Sequence, residues 1–370
     1  MTATPPPQAV RRVIVAGGGT GGHLYPGIAV AHAMLRRDRA LRVSFVGTAR
    51  GLEHRVVPQE GFELDLIRSA GLKGKSAGAV ARGVGVLPLS AVDAWRVLSR
   101  RRPALVIGVG GYSSGPVVAL AALRGIPTLL LEQNAMPGLA NRLLSRLVDA
   151  AAVTYDASLP WFHGHGVVTG NPVRDAFLSV PPRPVGGTRR TLLVFGGSQG
   201  ARAINQAMVA AAPLIRDVTH ELAIVHQTGP HDEVSVRAGY QEAGVAAEVH
   251  AYLDDMPRRI TDADLLVCRA GATTLAELTA AGRAAVLIPL PSATDDHQRR
   301  NAAALAAEGA AVVVDQHEIT PAGLADTING LLADDDRRAS IAARAKTLAR
   351  PDAAEQIAGR ALALMAGDRS

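Results

Sequence analysis

Val13-Ile-Val-Ala-Gly-Gly-Gly-Thr-Gly-Gly-His23 is the stretch whose reading decides the fold. Val13 to Ala16 is a short β-branched apolar run, the pattern of a strand buried in a parallel sheet. Five glycines then surround Thr20, and His23 opens a segment through Leu35 that predicts a helix. Strand, glycine loop and helix in that order bind phosphate. The missing Cβ atoms let backbone approach an anion, and the free N–H groups of the helix start point at it. The stretch therefore predicts a phosphate-bearing ligand at the carboxyl edge of a parallel sheet. His23, just past the loop, stands at the mouth of the cleft as a candidate general base. The alternative is a helix-start histidine bonded to a nearby carbonyl.

Gly17, Gly19 and Gly22 satisfy G-x-G-x-x-G, a weak signal alone. A dinucleotide site adds an acid at the end of its second strand. That strand, predicted at about Arg42–Val46, ends in Gly47-Thr48, and Asp38 precedes it, so a dehydrogenase is disfavoured. No Gly-Lys-Ser/Thr follows the glycines, so the P-loop pattern fails.

Working outward, the chain of 370 residues predicts two domains. It is 48% hydrophobic and 19% charged with 38 glycines, which fits an α/β protein with ample core. Cys268 is the only cysteine, so an internal disulfide is excluded and a reducing compartment fits. Residues 1–11 read as a disordered tail, without the basic and apolar regions of a signal peptide. No segment reaches the ~18 apolar residues of a membrane span. Residues 1–170 carry 19 Lys/Arg and 9 Asp/Glu, a net +10, whereas residues 171–370 are net −4. The basic half points to an anionic surface or substrate. Scattered basic residues, few aromatics and no binding motif argue against nucleic acid. Acidic lipid headgroups fit better, at Leu72-Lys73-Gly74-Lys75 and Gly83 to Leu89, with a plain solvated basic face as the alternative.

Strands and helices alternate through the first half, predicting a doubly wound parallel sheet. Strand Ala104–Ile107 leads to a second glycine loop, Gly108–Gly115, and a helix is predicted over 88–101. Glu132-Gln-Asn134 lies at a strand's carboxyl end. A crossover begins at Gly170-Asn-Pro-Val-Arg174, and Pro181, Pro182, Pro184, Gly186 and Gly187 mark a linker. Strand Thr191–Phe195 and Gly196-Gly-Ser-Gln-Gly-Ala201 then repeat the opening device. The expected organisation is an N-terminal domain 12–170, a second domain 171–350, and a last helix, 351–370, packing back on the first. Two such domains imply a ligand between them.

Four polar constellations admit two readings. Loop 196–201, with the Ser198 hydroxyl, offers a phosphate cradle or a tight turn. Thr274-x-x-Glu277 matches a capping box, yet the same helix start could present Glu277 to ligand hydroxyls. Asp262-Ala-Asp264 resembles a metal-holding D-x-D but precedes a strand, so a helix stop and strand start is the better reading. Asp295, Asp296, His297, Gln298 and Asn301 follow a strand end, where hydroxyl-rich ligands find carboxylates and amides; the alternative is a polar surface loop, and the location favours the ligand. His163 and His165 lack a third ligand at zinc spacing.

Taken together, these motifs resemble the bacterial peptidoglycan glycosyltransferases that use UDP-N-acetylglucosamine (UDP-GlcNAc). The resemblance spans about 12–365. It rests on Gly18–His23, Gly110-Gly-Tyr112, Glu132–Asn134, Gly170–Arg174, Gly196–Ala201 and Arg269-Ala-Gly-Ala-Thr-Thr-Leu-Ala-Glu277. It implies a GT-B fold: α/β, two Rossmann-like doubly wound parallel-sheet domains facing across a cleft. It also implies inverting transfer of GlcNAc to the C4 hydroxyl of lipid-linked N-acetylmuramyl-pentapeptide (lipid I to lipid II) in peptidoglycan synthesis. By that resemblance His23 is the proposed base, and Thr20, Gly21 and Gly22 of the first-domain loop are among the residues that bind UDP-GlcNAc. Asn134 and Arg174 line the cleft. Ser198, Gln199, Thr273, Thr274, Leu275 and Ala276 belong to the donor site, with Ser198 and Thr274 toward the diphosphate. Leu253 offers backbone to uracil, Glu277 grips ribose, and Ala272, Gln298 and Asn301 contact GlcNAc. The residue before Gln298 is His297, where some members carry a second Gln. The implied partners are UDP-GlcNAc, lipid I and the anionic inner membrane surface, contacted peripherally from the cytoplasm. No metal or other cofactor is expected. A UDP-GlcNAc epimerase and a non-catalytic nucleotide-sugar binding protein are the competing readings.

Overall fold

The computed structural model describes residues 10–49, 51–69, 77–183, 189–215, 221–293 and 296–368. Most of the N-terminal tail, the basic stretch Leu72–Lys75, linker residues 184–188 and Asp295 lie outside the described residues. The chain divides into two compact units, one of residues up to Pro172 plus those from Asp352 onward, the other Val173–Pro351.

The first unit holds seven strands: β1 (Arg12–Gly17), β2 (Arg42–Gly47), β3 (Glu63–Leu66), β4 (Leu105–Gly110), β5 (Thr128–Glu132), β6 (Ala150–Val153) and β7 (Gly166–Val168). They pair in the order β3-β2-β1-β4-β5-β6-β7, all parallel. Their near-continuous Val, Ile and Leu runs suit a sheet covered on both faces. One face packs on helices Gly21–Arg37 and Ala353–Met365, the other on helices Ala77–Arg101 and Ser114–Leu123. In the last helix Ala354, Ile357, Ala358, Ala361 and Leu364 are buried, a period of three and four that faces the core. Glu355 ties this helix to Arg36 and Arg37 at 2.9 and 2.8 Å. Helix Ala77–Arg101 begins eleven residues before the expected 88. Pro88 suits a first helical position, but here it lies inside the helix. Burial of Ala94, Val97 and Leu98 anchors the segment around it.

The second unit repeats the plan with six parallel strands: β8 (Arg189–Phe195), β9 (Glu221–Gln227), β10 (Ala247–His250), β11 (Leu265–Cys268), β12 (Ala285–Leu287) and β13 (Val312–Val313). Their order is β10-β9-β8-β11-β12-β13. In each sheet the order reverses once, between β1 and β4 and between β8 and β11. Loops leaving those strands diverge there and open a crevice at the carboxyl edge.

Candidate active site

In the first unit the loops after β1 and β4 meet at the reversal point, where the Gly18 amide donates to the Gly110 carbonyl at 3.3 Å. Gly17, Gly18 and Gly19 all have positive φ. Helix Gly21–Arg37 starts after Thr20, whose hydroxyl makes no capping bond. Its start precedes the expected His23 by two residues, so His23 lies within the first turn.

This loop differs from the expected open phosphate cradle. Glu53, fully buried, accepts from the Gly19 amide at 2.7 Å and from the Thr48 amide at 2.8 Å and hydroxyl at 3.0 Å. A carboxyl group thus already accepts from part of the loop, so the Gly19 amide is not free to meet a phosphate. β2 ends without an acid, as its sequence predicts, and Glu53 opens the helix that follows, Glu53–Gln59. Glu53 lies six residues past Gly47 and is turned inward onto the loop.

At the carboxyl end of β5, Glu132 accepts from the Asn134 amide, the Gly138 amide and Asn141 Nδ2 at 2.9, 3.0 and 2.9 Å. That network fixes the Asn134 turn. Gln133 is buried and touches His23: its Oε1 lies 3.2 Å from His23 Nδ1. The structure thus brings His23, Gln133 and Asn134 to one sheet edge. Gln133 stood inside a quoted motif, but nothing local singled out its side chain.

In the second unit the predicted donor residues also gather at one carboxyl edge. Loop Gly196–Ala201 follows β8, Arg269–Gly271 follows β11, the loop to Gln298 follows β12, and Leu253 follows β10. Gly200, at φ +75°, leaves no room for a side chain, since a Cβ there would lie 1.8 Å from the Thr228 carbonyl oxygen. Gln227 Nε2 donates to the Gly197 carbonyl at 2.9 Å. Beneath it His226, held neutral with its pKa pushed down to about 3 by burial, bonds Tyr240 and Asn205. Asn205 in turn donates to the Thr228 carbonyl at 2.9 Å. The loop therefore has a fixed shape, with Ser198 half-buried and Gln199 exposed.

The capping-box reading of Thr274 and Glu277 is corrected. Helix Ala272–Ala281 starts two residues before Thr274, with Gly271 as its N-cap. Ala272, Thr273, Thr274 and Leu275 make up a first turn without an acid, which leaves the positive end of the helix available to a phosphate. Glu277 sits a turn further in and accepts from Arg174 Nη2 at 3.0 Å. Burial raises its pKa, and Arg174 opposes that shift. Arg174 also stacks over the Phe177 ring, 4.8 Å from its centroid.

The remaining residues separate by what they are bonded to. Leu253 is buried in the core, so its side chain is closed off and its backbone alone could meet a ligand. Gln298 Oε1 accepts from the Leu290 amide at 3.0 Å, which shapes the loop after β12. Asn301 is 1% exposed, and neither its Oδ1 nor its Nδ2 has a partner among the described residues. Such a buried amide costs about 1–3 kcal/mol until something bonds it. Asp264 lies at the opposite edge, before β11. It accepts from the Thr191 amide at 2.7 Å and from Arg183 at 2.9 and 3.1 Å, which commits it to structure.

Two parallel-sheet α/β units, each with a glycine loop at its reversal point, define a protein of the GT-B fold. The chain belongs to glycosyltransferase family 28: the model of that family's N-terminal domain matches residues 13–153 and that of its C-terminal domain residues 191–357. A curated relative from Myxococcus xanthus (strain DK1622) is 46% identical over 96% of this chain and 93% of its own. It is named UDP-N-acetylglucosamine--N-acetylmuramyl-(pentapeptide) pyrophosphoryl-undecaprenol N-acetylglucosamine transferase. The crystal structure of Acinetobacter baumannii MurG is similar with a TM-score of 0.72 and 30% identity, over 95% of this chain and 99% of that one. A UDP-GlcNAc 2-epimerase from Neisseria meningitidis has a TM-score of 0.66 over 95% of this chain and 99% of its own. At 12% identity it shares the fold alone.

Proposed function

We propose that this chain transfers GlcNAc from UDP-GlcNAc, with inversion, to the C4 hydroxyl of undecaprenyl-pyrophosphoryl-N-acetylmuramyl-pentapeptide. The product is the lipid-linked disaccharide used for peptidoglycan. The observation that carries this reading is the 46% identity to a transferase of that name across nearly the full length of both chains. The geometry supplies compatible chemistry. The acceptor oxygen forms a bond to the anomeric carbon as the bond from that carbon to the phosphate oxygen breaks, and the electron pair leaves with UDP. His23 takes the hydroxyl proton. The helix start at Ala272 and the Gly196–Ala201 loop hold the charge that grows on the diphosphate. Glu277 meets the ribose hydroxyls, and the Asn301 amide, unbonded among the described residues, meets those of GlcNAc.

Peripheral membrane contact is part of the same proposal. Among the described residues no helix is long and apolar enough to cross a membrane. Leu87, Leu89, Val92 and Trp95 of helix Ala77–Arg101 are exposed, with Trp95 54% exposed and the Arg124 guanidinium 4.6 Å from its ring centroid. Apolar and aromatic side chains beside arginines suit an anionic lipid surface.

The deciding experiment measures transfer of labelled GlcNAc to the lipid-linked acceptor, with and without EDTA. Labelled lipid in both conditions is the expected result. Product lost only with EDTA would reopen metal-assisted transfer. Donor turnover without lipid product would favour the epimerase, and donor binding without turnover the binding protein.

A further inference from the structure

Gln133 touches His23 through a hydrogen-bond chain whose polarity is fixed at one end. Gln133 Nε2 lies 3.3 Å from the Val109 carbonyl oxygen. A carbonyl only accepts, so the amide must turn its NH2 toward Val109 and its Oε1 toward His23. Oε1 in turn only accepts, so the nitrogen 3.2 Å away, His23 Nδ1, must carry a proton. The second ring nitrogen, Nε2, is then the basic one in the neutral imidazole. Gln133 is 3% exposed, which keeps water from competing for the contact. Gly110 completes the arrangement: at φ +91°, a Cβ on it would lie 2.8 Å from His23 Nδ1 and 3.0 Å from Cε1. Any side chain at 110 would push the ring off Gln133.

We propose that Gln133 is a positioning residue for the transfer. Its Oε1 holds the proton on His23 Nδ1, and this leaves Nε2 as the nitrogen that takes the acceptor hydroxyl's proton. The inference rests on the reading of His23 as the base. It adds which nitrogen acts and what selects it, since a ring protonated on Nε2 would offer the acceptor a donor where an acceptor is needed. A neutral amide suits this task. It fixes the tautomer without the charge that would hold the imidazolium. Besides Tyr25, His32, Arg36 and Arg37 on its own helix, the titratable groups around His23 among the described residues include Glu53, bonded to Gly19 and Thr48, Glu132, bonded to Asn134, Gly138 and Asn141, and Tyr112 on the β4 loop.

The test is 15N NMR of the full chain with labelled histidine, combined with pH–rate profiles. His23 is assigned by the signal lost in His23→Ala. The expected wild-type ring carries its neutral proton on Nδ1. Gln133→Leu should move the proton toward Nε2 and lower kcat by roughly ten- to a hundredfold, with the KM for UDP-GlcNAc within about twofold. Gln133→Glu keeps an acceptor against Nδ1 and adds a charge that stabilises the imidazolium. It should retain the Nδ1–H tautomer, shift the acid limb of kcat/KM to higher pH, and recover its rate under alkaline conditions where Gln133→Leu does not. An Nε2–H tautomer in the wild type, or an unchanged tautomer in Gln133→Leu, overturns the proposal. The tautomer readout needs no turnover. A His23→Ala enzyme with wild-type kcat would therefore overturn the base reading alone.

Discussion

The Gly19 amide donates to the buried Glu53 carboxylate at 2.7 Å, so a side chain from the start of helix Glu53–Gln59, which follows β2, closes the first glycine loop. Glu53 is also pressed against Gly18 and Gly47, where a Cβ would come within 2.6 and 2.3 Å of its atoms. Glu53→Ala would leave the Gly19 and Thr48 amides without their acceptor and open a cavity. We expect a stability loss of about 3 kcal/mol by urea unfolding. Under the proposed function the second unit holds the diphosphate, so the KM for UDP-GlcNAc should stay near the wild-type value while kcat falls. A selective rise in donor KM would return the phosphate to the first loop.

Glu277 connects ligand binding to pH. Burial raises its pKa above the ordinary 4.5, against the pull of Arg174. The folded protein therefore keeps this proton to higher pH than the unfolded chain does. The contribution to stability is fully present below 4.5 and is lost as pH rises through the raised value. Glu277→Gln removes that slope. Its melting temperature relative to the wild type should climb as pH rises from 4.5, while its affinity for UDP-GlcNAc falls. A temperature difference that is flat with pH would refute the assignment.

Asn301 sets stability against binding. Its amide is buried without a partner among the described residues, so an apolar residue of similar shape removes a cost. Asn301→Leu should match or exceed the wild-type stability, by up to about 1 kcal/mol, while raising the donor KM about tenfold. Thermal melts with and without UDP-GlcNAc separate the two effects. A variant less stable without donor and unchanged in KM would show Asn301 to be structural.

Asp264 distinguishes a structural carboxylate from a metal ligand. Arg190, buried, lies 3.7 Å from it, in addition to the Arg183 and Thr191 bonds. Asp264→Ala should lower stability by about 3 kcal/mol and leave the KM for UDP-GlcNAc unchanged at temperatures where the variant is folded. A stable variant whose activity has lost any response to divalent cations would contradict this reading.

Several features of the site were readable from local pattern because local physics decides them. β-Branched runs of four to six residues, spaced by helical periods and ended by glycines, can bury both faces only as parallel sheets. Their carboxyl ends are then where backbone N–H groups are left over. That logic located the Gly196–Ala201 loop, the Glu132–Asn134 strand end and the Gln298–Asn301 segment. It failed where a pattern was locally satisfied but globally overruled. Thr274-x-x-Glu277 is a sound capping box by spacing, yet Gly271 begins the helix earlier and Arg174, 103 positions away, claims the Glu277 carboxylate.

The sequence by itself determined the two α/β units, the glycine loops at their strand ends and, through its motifs, the transferase family. The tertiary structure alone decided the partner of each polar side chain. It placed Glu53 on the Gly19 amide, Gln133 on His23 and Arg174 on Glu277, and it left the Asn301 side chain without a bond among the described residues. The division has a physical cause. Backbone conformation follows from neighbours within a few residues, whereas a side chain bonds whatever the sheet order brings beside it, here 34, 110 and 103 positions along the chain.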